Sequence, residues 1–218
     1  MKIFTTISLV FNSVILLLLL AFSGCQRQGQ SSPADAQLYQ NLAAKRIKLS
    51  NGWSLTPAGN KSLNLNDLPL NLVVSSSGKY AAVTNNGQST QSITLIDAVS
   101  AQILDDVKTD KSYYGLAFSA DEKMLYASGG NDNKILIYRV VDSKLIADGE
   151  IVLGKPWPEK ISPVGLCIDD AKQQMFVVTK DNNSLYVCDL KERKVIQNVP
   201  LDFKGYACQL SKDKKQLL

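Results

Sequence analysis

The stretch GLAFSADEKMLYASGGNDNKILIYRVVDSKLIADGEIVL, residues 115–153, decides the fold. It divides into four short apolar runs parted by DEK, NDNK and DSK. The runs are rich in Leu, Ile, Val, Tyr and Phe, and none is long enough for an ordinary helix. Four strands of one antiparallel sheet is the economical reading. The runs are also apolar on both faces. Ile135 and Ile137 point one way, Leu136 and Tyr138 the other, and Phe176, Val177 and Val178 form a continuous run. A sheet with one wet face would alternate. These strands ask for cover on both sides.

The unit recurs. NLVVSSSGKY (71–80), GLAFSADEKM (115–124), GLCIDDAKQQ (165–174) and ACQLSKDKKQ (207–216) start 44, 50 and 42 positions apart. A period of that size with four strands per period is the signature of propeller blades, each sandwiched by its neighbours. A β-sandwich would also cover both faces, but it leaves the period unexplained. The expected fold is therefore all-β, a β-propeller of four-stranded antiparallel blades.

Blade one is expected over 68–109, with strands at 70–75, 80–85, 92–97 and 103–108. Blade two covers 112–160. Blade three covers 162–203, with strands at 164–169, 175–180, 184–190 and 195–201. Residues 204–218 begin a fourth, as one strand, a turn and two residues of a second strand. The breaks SSGK, ADEK and DAKQ, and later DAVSAQ, VDSK and KERK, suit hairpin turns. Propellers close with four to eight blades. Three and a fraction are present, so the expectation is a partial propeller belonging to a longer chain.

Ahead of the repeats, residues 1–24 carry Lys2 and the apolar run VILLLLLAF at 14–22. Nine uniformly apolar residues are short for a membrane span of about 20 and suit the core of an export signal. Ser23-Gly24-Cys25 resembles a bacterial lipobox, with Phe22 where Leu is usual. That resemblance implies cleavage before Cys25 and lipidation of its thiol and amine. The protein would then be held to a membrane of the bacterial cell envelope, at the outer membrane or on the periplasmic side. Residues 25–50 read as a tether, with a short helix expected over 36–48. Residues 51–68, with Trp53, Leu55, Leu63 and Leu65 at strand-like spacing, are expected to add an outer strand to the last blade.

Composition narrows the chemistry. The 218 residues contain no histidine, which removes the commonest metal ligand and general base. The net charge is +4, and seven basic against three acidic residues lie within 191–215. Most fall in expected turns and outer strands, so a solvated face is the reading rather than a nucleic-acid surface. Cys167, Cys188 and Cys208 remain once Cys25 is assigned, all in expected strands, as small buried hydrophobes. A Cys167–Cys188 disulfide is an alternative. No CxxC, P-loop or GxGxxG is present, and no catalytic set, metal site or cofactor site is expected within these residues.

Strand parity locates a candidate binding face. In a four-stranded meander the first and third turns lie at one end, and the second turn and the link to the next blade at the other. The longer loops therefore share one face: 85–91, 129–134 and 180–183, with the links 108–114, 154–163 and 200–206. The candidate contacts there are Asn85, Asn86, Asn131, Asp132, Asn133, Asp181, Asn182 and Trp157. Asn and Asp also serve turns structurally, and Trp157 also suits covering a blade rim.

GLAFSADEKMLYASGGNDNKILIY resembles the repeat of YVTN-type, YncE-like β-propellers. LTPAG at 55–59 followed by LPLNLVVSSSGKYAAVTNNG at 68–87 is similar to a subgroup in which the propeller precedes an alkaline-phosphatase-superfamily phosphoesterase domain. Glu122 and the DAKQ turn depart from the repeat's turn glycine. The resemblance implies a non-catalytic propeller module of a lipid-anchored envelope protein. Its partners would be the membrane, through Cys25, and a downstream phosphoesterase domain; the phosphoric-ester chemistry would belong to that domain. A lactonase-type propeller hydrolase is one alternative, although Asn71, Gly115 and Gly165, which open the inner strands, are poor catalysts. A protein- or glycan-binding scaffold is the other.

Overall fold

A computed structural model describes residues 63–218, together with the paired segments Ile47–Lys48 and Ser54–Leu55. The chain divides into two units, 1–64 and 65–218. In the first, β1 (Ile47–Lys48) pairs antiparallel with β2 (Ser54–Leu55). Lys48 and Ile47 are thus strand where the end of a helix was expected, and Ser54–Leu55 finds its partner in β1. The remainder of 1–62, with Cys25, Trp53 and the rest of both expected segments, lies outside the described residues.

The second unit contains three antiparallel sheets of four strands, each laid out in sequence order. The first holds β3 (Pro69–Val74), β4 (Tyr80–Asn85), β5 (Ser92–Asp97) and β6 (Gln102–Lys108). The second holds β7 (Leu116–Phe118), β8 (Met124–Ser128), β9 (Lys134–Val141) and β10 (Lys144–Val152). The third holds β11 (Pro163–Asp169), β12 (Gln174–Thr179), β13 (Ser184–Asp189) and β14 (Lys194–Pro200). The expected strands coincide with these to within a residue or so at each end. The expected fourth blade is represented by a single bridge, Leu210↔Leu217. Cys208 consequently lies outside any strand, because only Leu210 and Leu217 meet in ladder geometry.

Blades one and two are each covered by the next. Between blades one and two lie Ile93, Leu95, Leu116, Leu125, Ala127 and Tyr138. Between blades two and three lie Tyr126, Ile135, Ile137, Ile151, Met175, Val177 and Tyr186. Strand β9 feeds both layers, Ile135 and Ile137 on one side and Tyr138 on the other, because successive side chains of a strand alternate faces. Burying each such side chain is worth about 1.5–3 kcal/mol. Where blade one faces away from blade two, Leu72 and Val74 stay 55% exposed.

The inner strands crowd together where they begin. A Cβ on Gly115 would lie 2.7 Å from the Val164 carbonyl oxygen, and one on Gly165 would lie 2.7 Å from the Ala207 Cα. Glycine is required there because the backbones of successive blades nearly touch. Asn71, at the matching place in blade one, reaches across instead, its Nδ2 donating to the Tyr114 carbonyl at 2.7 Å.

The first turn of each blade follows a common plan. The Oγ atoms of Ser75, Ser119 and Ser211 accept from the amides of Tyr80, Met124 and Gln216 at 3.0–3.1 Å. Gly78, Glu122, Gln173 and Lys214 occupy the left-handed region at φ +74, +60, +53 and +56°. Glu122, in the glycine position of the repeat, uses its side chain to join blades. Its carboxylate accepts from Ser76 Oγ at 2.9 Å, from Ser77 Oγ at 2.8 Å and from the Ser77 amide. Ala120 N to Asp170 Oδ1 (3.2 Å) and Lys214 Nζ to Asp169 Oδ1 (3.4 Å) continue the series.

Cys167 and Cys188 are free thiols on β11 and β13, with β12 between them. Two strand spacings of about 4.8 Å separate their backbones, beyond the roughly 7 Å limit for a disulfide. The Cys167–Cys188 bridge is excluded on that ground.

Two outcomes follow from this packing. Ile137→Ala removes a side chain that is 2% exposed, and should lower the free energy of unfolding by about 2–5 kcal/mol in a urea titration; a loss under 1 kcal/mol would contradict a tightly packed layer. The hydrogen bonds from Ser77 and Ser76 hold the Glu122 carboxyl below its ordinary range. Its folded value lies below its unfolded one, so its contribution is complete above the ordinary carboxylate range and is lost as pH falls through the folded value. Glu122→Gln should therefore unfold at lower urea than the parent at pH 7, with the gap closing toward pH 3. A pH-independent gap would disprove the assignment.

Candidate binding face

The second turns and the interblade links gather at one end of the blades around a cavity of ≈ 600 Å³. Blade one lines it with residues 86–91, blade two with Gly130 and Asn131, blade three with Lys180, and the links with 109–113 and Ser162. The shape follows from parity, since every second hairpin and every link must emerge at this end. The chemistry is amide and hydroxyl, with three charges: Asp110, Lys111 and Lys180. The Lys180 ammonium sits 4.6 Å from the centre of the Tyr113 ring, so a fixed positive charge stands over an aromatic face within the wall.

Gln91 organises one wall. Its Oε1 accepts from the Ser112 amide at 2.7 Å and from Asn86 Nδ2 at 3.3 Å. Asn86 Nδ2 also donates to the Ser112 carbonyl, and Ser112 Oγ to the Asn85 carbonyl at 2.8 Å. The second turn of blade one and the following link are thereby tied into one surface. Ser162 does the same opposite, its Oγ donating to Asp181 Oδ2 at 2.6 Å and lying 3.0 Å from Asn131 Oδ1.

The expected contact residues divide. Asn86 and Asn131 line the cavity. Asn85 is buried at the end of β4, its Nδ2 donating to Ser92 Oγ at 3.0 Å and Thr94 Oγ1 at 2.8 Å. Asp132 belongs to the 3-10 turn Gly130–Asp132, its amide donating to the Gly129 carbonyl at 3.0 Å. Asp181 stands beside the cavity through Ser162. Asn182 bridges Thr179 Oγ1 (2.5 Å) and the Tyr186 hydroxyl (2.8 Å). Trp157 is 59% exposed outside the cavity lining, with its amide on the Asn131 carbonyl at 2.9 Å and the Lys160 ammonium 5.6 Å from its ring.

Asn133 is a latch. Fully buried at φ +55°, it donates from Nδ2 to the carbonyls of Lys155 (2.6 Å) and Glu159 (2.7 Å). Its Oδ1 accepts from the Ser162 amide at 2.9 Å. One side chain thus ties the 154–163 link at three points. The wall residues beyond the expected set, Gln91, Tyr113, Ser162 and Lys180, gave only the weak signal of lying in segments that parity assigns to this end.

No protein-family model matches the sequence, and no curated protein matches it. Solved structures do share the architecture. A functionally unknown protein from Desulfotomaculum acetoxidans DSM 771 aligns over 78% of this chain and 52% of its own, at TM-score 0.60 and 12% identity. The Dos1 propeller aligns over 77% of this chain and 41% of its own, at TM-score 0.59 and 14% identity. The RRP9 WD40 repeats align over 67% and 43%, at TM-score 0.56 and 16% identity. The chain thus spans about half the length of the structures it matches. At such identities the likeness is one of fold, and the fold is a β-propeller.

The latch can be tested without disturbing the backbone. Asn133→Gly retains left-handed freedom but deletes all three side-chain bonds. Amides of 154–162 should exchange with solvent at least tenfold faster, and stability should fall by about 1–3 kcal/mol. Unchanged exchange in that segment would show that the link is held by other contacts.

Proposed function

We propose that this chain is a non-catalytic β-propeller module of a lipid-anchored envelope protein, and that its loop face is the surface it offers to a partner. The observation that carries the reading is the polar cavity built by all three blades and both links. Its walls present amides, hydroxyls, Lys111, Lys180 and Asp110, groups suited to hydrogen bonding and charge pairing. Loops held on a rigid scaffold are the usual place for recognition. The similarity of 55–59 and 68–87 to propellers that precede a phosphoesterase domain supports such a domain as the partner, with the ester chemistry residing there. The lipobox-like Ser23-Gly24-Cys25 supports anchoring at Cys25.

The hydroxyl- and amide-rich wall also favours a second reading, a scaffold that binds glycans. The two make different demands. Purified protein should turn over neither p-nitrophenyl phosphate nor gluconolactone, and steady turnover of either would overturn the non-catalytic reading. Cells fed labelled palmitate should label the parent but not Cys25→Ser; equal labelling of both would remove the anchor. Saturable binding on a glycan array, lost in Lys180→Ala, would select the glycan scaffold.

A further inference from the structure

Cys167 and Cys208 lie on the two sides of the junction between blade three and the segment that follows it. Gly165, two residues before Cys167 on the same face of β11, would carry a Cβ 2.7 Å from the Ala207 Cα and 3.0 Å from the Cys208 amide nitrogen. The backbones are therefore in contact at this level. Cys208 Sγ donates to the Phe176 carbonyl at 3.6 Å, and Phe176 is the register partner of Cys167 on β12. Cys208 lines one cleft with Gly165 and Leu166, the residues that lead into Cys167.

We propose that Cys167 and Cys208 form a reversible disulfide that staples blade three to the 207–218 segment. A small disulfide, such as oxidised glutathione, is the oxidant. The Cys167 thiolate attacks one oxidant sulfur, giving a mixed disulfide and releasing one thiol. The Cys208 thiolate then attacks Cys167 Sγ, and the second oxidant thiol leaves. Two protein thiols become one disulfide, one oxidant disulfide becomes two thiols, and the two protons pass to the leaving thiolates. The order fits the surroundings. Interaction with Cys208 draws the Cys167 thiol below its ordinary range, while Cys167 and burial push Cys208 up. Both are partly exposed, whereas Cys188 is fully buried and pushed up to about 12 by that burial.

The test is a map of thiols in the full chain, reduced and then treated with oxidised glutathione. Tryptic peptides 161–172 and 205–212 should appear joined under non-reducing conditions, with Cys188 alkylated only after unfolding. The oxidised chain should melt roughly 5–15 °C above the reduced one. Cys188→Ala should retain the joined peptide. Cys208→Ser should instead carry glutathione on Cys167 and show no rise in melting temperature. Glutathione on both Cys167 and Cys208 of the parent, a link from either to another cysteine, or two unmodified thiols would each overturn the proposal.

Discussion

A sheet that is apolar on both faces cannot stand alone in water, and this requirement governs the structure. Strand β9 shows it most directly, sending Ile135 and Ile137 into one interblade layer and Tyr138 into the other. Neither layer exists without two blades, so stability accrues at the junctions between repeats rather than inside them. Gly165 within β11 and Gly115 just before β7 serve the same end. They let neighbouring backbones approach to distances a side chain would forbid.

Polar side chains follow a second rule, which is to hold the ends of the blades in shape. Ser75, Ser119 and Ser211 close equivalent turns, and Asp97 and Asp189 each take two backbone amides in the third turns. Asn133 satisfies three backbone groups while buried, where each bond counts for about 1 kcal/mol and each orphaned group would cost more. The exposed Lys123–Asp121 pair, by contrast, is screened by water and adds little. Surface character is set by what remains after these obligations, and around the cavity that remainder is Lys111, Lys180, Asp110 and a rim of amides.

The fold was readable because its two signals are redundant. Apolar residues on both faces of 135–138 demand two neighbours, and the 42–50 residue period supplies them. Strand boundaries followed from turn chemistry. The site was less readable. Parity placed the loops correctly at one end, but it could not separate Asn86, which faces the cavity, from Asn133, which turns inward as a latch. Both are asparagines in turn-rich loops, and only tertiary contacts distinguish them. Cys208 was misplaced as a strand residue because the apolar pattern of 207–210 resembles the earlier inner strands, while ladder pairing there reaches only Leu210 and Leu217.

The left-handed turn positions have a further implication. Ala101, Gln173, Arg193 and Lys214 hold φ between +53° and +56° without the freedom of glycine. Each carries a steric penalty of about 1–2 kcal/mol that the stacked sheets absorb. The hairpins thus contain unclaimed thermal headroom: a variant with glycine or asparagine at Ala101 and Gln173 would relax the backbone while leaving both apolar layers untouched. Glu122, Arg193 and Lys214 are the exceptions, since their side chains reach the neighbouring repeat, and there the tense backbone is what carries the connection.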